Sequence, residues 1–392
     1  MGTDDDDGAP DPFGGIPFLA DMARAMSEQG PLNWDLAVQF AALGAVGENP
    51  DPEPEPSVRM AWESLADVAA MRVEETSGIV VPSRPEVVTV SRARWAQRTL
   101  ADMRPLFTAM AASIATRPSA HDGDGDDPMT SMFSALSRMM APALTGMSIG
   151  SMVGSLARHA LGQYELPIPR PGTRDLLVVS SSVDAFALEW EIATDDLRMW
   201  VLTHELSSHA VLSAPALSGA LVALLTEHVS AFSPDPAAIL DRLGEVDPGS
   251  PDALAGLQSL FSDPMLLMGA LRSPEQERIA PRLDAAVSAV SGYIDHLVDE
   301  TAKRVLGNPG RIAEAARRRR AEWGDDARLI ENMLGVSSAR ESQRRGREFI
   351  AGVVERGGAP HLPLIANDPA GLPTPAEIAA PGLWLARLGV LD

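Results

Sequence analysis

Apolar residues recur at helical spacing through most of this chain, and Leu176-Leu177-Val178-Val179 is its best strand candidate. With so little strand-forming sequence there is no broad sheet for helices to cover. Helix must therefore pack on helix, and a mostly α fold with minor β is expected. Helices are predicted from Asn33 to about Gly47, Val58 to Glu75, Ser91 to about Thr116, Thr194 to about Leu212, and Pro215 to Phe232. Others are predicted at Asp252–Phe261, Pro274–Leu306, Arg311–Trp323 and Ser337–Glu355. Thr194, followed by Asp195 and Asp196, is expected to cap its helix, and Pro281 to kink or restart the long one. Residues 1–30 read as a partly disordered acidic N-terminus, the length of 392 residues suits one large or two moderate domains, and 301–360 is a locally basic helical part.

The stretch from Met139 to Ala157 carries no charge, and Gly146, Gly150 and Gly154 recur every four residues. That spacing puts the glycines on one helical face and allows close backbone approach, in a membrane or in a protein core. Pro142, Thr145, three serines and the flanking Arg138 and Arg158 make the stretch too short and too polar to span. A buried helix packed on a neighbour through its glycines is the expectation.

Charge narrows the functional classes. With 54 Asp+Glu against 32 Lys+Arg, a net charge of −22 argues against broad nucleic-acid contact. Between Thr301 and Pro360, 13 Lys+Arg face 8 Asp+Glu, yet Arg317 to Arg320 surround their helix and cannot form one reading face. Pairing with the acidic remainder is the simpler expectation; recognition of an anionic partner is the alternative. Four aspartates, Asp4 to Asp7, stand where a secretory signal needs basic residues, so a cytoplasmic protein is expected. The absence of cysteine removes disulfides, thiolate metal sites and thiol nucleophiles. The Asp122–Asp127 run lacks the glycine and closing glutamate of a calcium loop and reads as a solvated turn.

Chemistry centres on Thr203-His204-Glu205-Leu206-Ser207-Ser208-His209. Two histidines four residues apart on a helix can share a zinc ion, with a glutamate after the first as general base for the metal-bound water. Here the spacing is five. At about 100° per residue His209 lies roughly 140° around from His204, and Ser208 takes the ligand position. A π-bulge would be needed to realign them. His228 and His296 read as packed or surface histidines, and no nucleophile elbow supports a Ser–His hydrolase.

Several stretches resemble the zincin-like metallopeptidase family, bacterial zinc-dependent hydrolases long known only as a domain of unknown function. They are Asn33-Trp34-Asp35-Leu36-Ala37, Gly150-Ser151-Met152-Val153-Gly154, Leu161-Gly162-Gln163-Tyr164, Trp190-Glu191 leading into the His204-Glu205 helix, Leu271 to Gln276, and Arg345 to Ile350. They occur in the family's order. The resemblance implies that 31–392 is a single domain with a zincin-like helical fold around an active-site helix, with His204 as first zinc ligand and Glu205 as general base. It places Ser208 at the second ligand and Ser291 at the third, normally a glutamate. Asp295 takes the position that orients the first histidine.

Serine hydroxyls are poor zinc ligands, so no cofactor is expected unless the family activity is retained, in which case it is zinc. The favoured function is a pseudoenzyme acting by binding a protein or peptide partner, with no nucleic acid and no membrane span. One alternative is an active zinc hydrolase using His204, Glu205 and His209 with a rearranged third ligand. Another is a regulatory protein recognising partners through its basic C-terminal helices. In the inherited-site reading, His204 is expected to face Asp295 within hydrogen-bond reach, directly or through water.

Overall fold

The structure is a computed structural model that describes residues 30–46, 51–79, 84–115, 128–170, 172, 174–232, 273–321, 325–336 and 340–390. The acidic N-terminus, the Asp122–Asp127 run and the Asp252–Phe261 helix lie outside those residues. In chain order the first elements are α1 (Trp34–Gly44), α2 (Pro56–Ser77), β1 (Glu86–Thr89), α3 (Arg92–Asp102), α4 (Arg104–Ala115), α5 (Pro128–His159), β2 (Asp175–Val178) and α6 (Ser180–Glu189). Then follow α7 (Thr194–Leu212), α8 (Pro215–Ser230), α9 (Pro274–Val305), α10 (Pro309–Ala321), α11 (Asp325–Leu334) and α12 (Arg340–Gly357). A short 3₁₀ turn and three short helices, α13 (Leu364–Asn367), α14 (Pro375–Ala379) and α15 (Pro381–Arg387), close the described chain. The fold is mostly α with minor β.

The glycines of α5 behave as their spacing predicts. A Cβ on Gly146 would lie 2.3 Å from Asn33 O, one on Gly150 2.3 Å from Ala37 O, and one on Gly154 2.6 Å from Ala41 O. Only hydrogen fits in those gaps, so α1 and α5 touch backbone to backbone along three turns. Asn33 caps α1 by accepting from Leu36 N at 3.0 Å, and its own N–H donates to Pro142 O at 2.9 Å. Among the described residues no single helix is long and apolar enough to cross a membrane.

β2 pairs in parallel with β1, Glu86 opposite Asp175 and Thr89 opposite Val178. A parallel pair needs a long crossover, which α3, α4 and α5 supply. The predicted Ser91–Thr116 helix is two helices broken at Met103, because Pro105 has no N–H to continue the ladder. Thr194 does not cap α7: Ala193 is the capping residue and Thr194 the first helical one, although Asp195 and Asp196 do occupy the first turn. Asp35 similarly occupies the first turn of α1. α9 runs as one helix through Pro281, opened by a reciprocal capping box between Ser273 and Gln276.

α7 is the central helix. Of its 19 residues 13 are buried, far more than one apolar stripe, because α2, α9, β2 and α6 cover it on several sides. α9 in turn lies against α12 at a second glycine crossing, where a Cβ on Gly346 would meet Ser288 O at 2.1 Å. One buried cluster continues from Leu32 to Leu385.

Gly150→Ala is therefore expected to lower the unfolding free energy by about 1–3 kcal/mol, the usual range for overpacking. Gly219→Ala, at an exposed α8 position with nothing within 4 Å of the new methyl, is expected to raise it by about 0.5–1 kcal/mol. Urea denaturation of both variants checks the opposite signs.

Candidate functional site

α7, α9, α10 and α12 enclose a cavity of about 80 Å³ whose polar wall includes His204, Glu205, Asp295, Arg320 and Arg347. α7 brings His204 and Glu205, α9 brings Asp295 one helical turn beyond Ser291, and α10 and α12 supply the arginines. Three of the predicted site residues thus line one space.

Glu205 is 2% exposed at its side chain and faces the Leu161–Glu165 segment, which leads from α5 towards β2. Its Oε2 accepts the Tyr164 backbone N–H at 2.8 Å, and its Oε1 lies 3.1 Å from His204 Nδ1. Because a carboxylate accepts, Nδ1 donates, and Nε2 is the ring nitrogen left for the cavity. A Cβ on Gly162 would stand 2.3 Å from the Glu205 carboxyl carbon, so that position must be glycine for the segment to close over the carboxylate. The His204 ring stacks on Trp200, four residues earlier, with centroids 5.6 Å apart.

Both residues line the cavity, as expected, but among the described residues no direct hydrogen bond joins His204 to Asp295; the His204 Nδ1 is engaged by Glu205. The two residues interact electrostatically. Desolvation holds the Asp295 carboxyl above the usual carboxylate range, opposed by the charges of His204, Arg320 and Arg347 and reinforced by Asp299.

α7 is α-helical throughout, without the π turn that would bring His209 round to His204. His209 is 7% exposed and instead places Nδ1 3.1 Å from the Tyr164 hydroxyl, away from the cavity lining. Burial lowers the pKa of His209 and holds the Tyr164 phenol well above its ordinary value. Ser208 is 1% exposed and does not line the cavity. Ser291 borders a smaller adjoining space with Ser288, Asp295 and Arg320. His228 is wholly buried in α8, and half-buried His296 stands outside the lining.

The four-arginine run is divided as a helix requires. Arg317 and Arg318 both pair with Glu314, Arg319 donates to His159 O at 2.7 Å, and Arg320 donates to Glu165 O at 3.5 Å. Sequence reasoning overlooked the parts played by Gly162, Tyr164, Trp200, Arg320 and Arg347. Trp200 was open to discovery from its spacing to His204. The others meet α7 only through tertiary approach.

A family model described as zincin-like metallopeptidase matches residues 32–385. The chain belongs to the zincin-like metallopeptidase family. A crystal structure from Chloroflexus aurantiacus, described as a candidate hydrolase with a novel fold, is similar with a TM-score of 0.57. It has 18% identity and the match covers 92% of this chain and 100% of that one, a likeness of fold. No curated protein sequence matches the chain.

At the positions that the resemblance assigns to the second and third ligands stand Ser208 and Ser291, and His209 is turned to Tyr164. Among the described residues, no three His, Asp or Glu side chains are grouped to hold one metal ion.

The lowered pKa of His209 means that the unfolded chain takes up its proton first as pH falls through about 6.5. Stability should decline below that pH, by up to about 1.4 kcal/mol per pH unit from this residue. His159 and His296, also lowered, contribute in the same direction. Denaturation between pH 7 and pH 5 should show a shallower decline for His209→Gln than for the parent chain.

Proposed function

We propose that this family member is a non-catalytic zincin-like protein whose former active-site cleft binds a ligand instead of hydrolysing one. The observation that carries this reading is the state of the two ligand positions. Serine stands at both Ser208 and Ser291, where the family pattern has a histidine and a glutamate, and Ser208 is buried. A hydrated zinc ion held by one histidine is readily lost.

The position of Glu205 supports the same conclusion. A general base must be able to take a proton from a reacting water, whereas both oxygens of this carboxylate are already engaged, Oε2 by the Tyr164 N–H and Oε1 by the His204 ring. The active-hydrolase alternative needs His209 at the metal, and its engagement with Tyr164 speaks against that. Recognition of a partner across the basic helices draws on their surface arginines, of which Arg317, Arg318 and Arg344 already pair with glutamates on their own helices.

Protein purified without added zinc should carry well below one zinc per chain by elemental analysis. A chelator should leave its thermal midpoint unchanged, because an ion that is not bound cannot stabilise the folded state. Stoichiometric zinc accompanied by a chelator-induced fall in the midpoint would overturn the proposal.

A further inference from the structure

The cavity beside His204 is lined by four arginines, Arg317, Arg319, Arg320 and Arg347, and by four carboxylates, Glu165, Glu205, Asp295 and Asp299. Most of these charges are satisfied within the chain. Arg317 pairs with Glu314, Arg319 donates to His159 O, and Arg320 donates to Glu165 O. Glu165 accepts from Leu161 N at 2.5 Å, and Glu205 from Tyr164 N at 2.8 Å.

Asp295, Asp299 and Arg347 differ. None makes a hydrogen bond or a close ion pair among the described residues, and Gln343, also on the wall, makes no hydrogen bond there. Their placement is ordered. Asp295 and Asp299 are four apart on α9, and Gln343 and Arg347 are four apart on α12, so each pair occupies one helical face. The two helices are held close by the Gly292–Gly346 crossing, which fixes the separation of the two walls.

We infer that the cleft binds a small zwitterion, with its carboxylate on Arg347 and Gln343 and its ammonium group on Asp295 and Asp299. A guanidinium offers a planar fork of N–H donors suited to a carboxylate, and two aspartates offer acceptors to an ammonium group. A ligand carrying only one charge would leave the opposite wall without a partner. The space beside these groups is small, about 80 Å³, so small zwitterions are the first ligands to test. This inference rests on the reading of the cleft as a binding site.

Isothermal titration of the full chain with glycine, β-alanine and 4-aminobutyrate tests it, with acetate and methylammonium as single-charge comparisons. At least one zwitterion should bind in the millimolar range or tighter, and the single-charge ions at least about tenfold more weakly. Arg347→Gln and Asp295→Asn should each weaken zwitterion binding by at least about tenfold, with folding checked by circular dichroism. Should Asp295→Asn fail to fold, the exposed Asp299→Asn serves for the acidic wall. Acetate binding as tightly as the zwitterions, or no binding by any zwitterion, would overturn the inference. Zinc is measured on the same preparation: zinc-free protein that binds no zwitterion refutes this inference alone, whereas stoichiometric zinc refutes the reading on which it rests.

Discussion

The Glu205 carboxylate, buried beneath the Leu161–Glu165 segment, is the contact from which the surrounding architecture follows. A buried carboxylate without donors would cost several kcal/mol, and the Tyr164 N–H and the His204 ring supply them. That requirement draws the segment onto α7. The segment is held from other directions as well: Trp95 Nε1 donates to Gly162 O at 2.7 Å, Leu177 N donates to Gln163 Oε1 at 3.1 Å, and Val179 N donates to Leu161 O at 2.9 Å. Through five residues, α3, β2, α7 and α10 are fastened to one another.

On the reading proposed above, the same contact explains how a catalytic helix can outlast its metal. In a zinc hydrolase of this family His204 and Glu205 serve the ion and its water. Here they serve each other and the backbone above them. Because the Tyr164 side chain also engages His209, one residue fixes both ends of the motif's last two turns. In the proposed pseudoenzyme, loss of the ligands at Ser208 and Ser291 leaves this scaffold intact, and the cavity persists with arginines and aspartates in its lining.

Much of this was legible in the chain, for reasons that differ by element. The α1–α5 contact could be read because glycine every four residues has one main structural meaning in an uncharged helix. α7 was readable from its periodicity, and the failure of His209 to converge with His204 followed from helical geometry alone. β1 was not, since four residues flanked by Pro85 and Val90 carry too little pattern, and its pairing with β2 is a long-range event. Thr194 misled because the chain enters α7 one residue earlier than a hydroxyl cap requires. Arg347 and Gly162 could not be assigned from sequence, as their roles depend on which helix or segment arrives opposite them.

The central claim is that an inherited zincin scaffold has lost its zinc through two side chains. Zinc titration of the double variant Ser208→His, Ser291→Glu tests it most directly, because His204, Glu205 and Asp295 remain at the cavity wall. The account predicts that the double variant binds about one zinc per chain and that either substitution alone binds far more weakly. A double variant that keeps its helical content and its cooperative unfolding yet binds no zinc would contradict it.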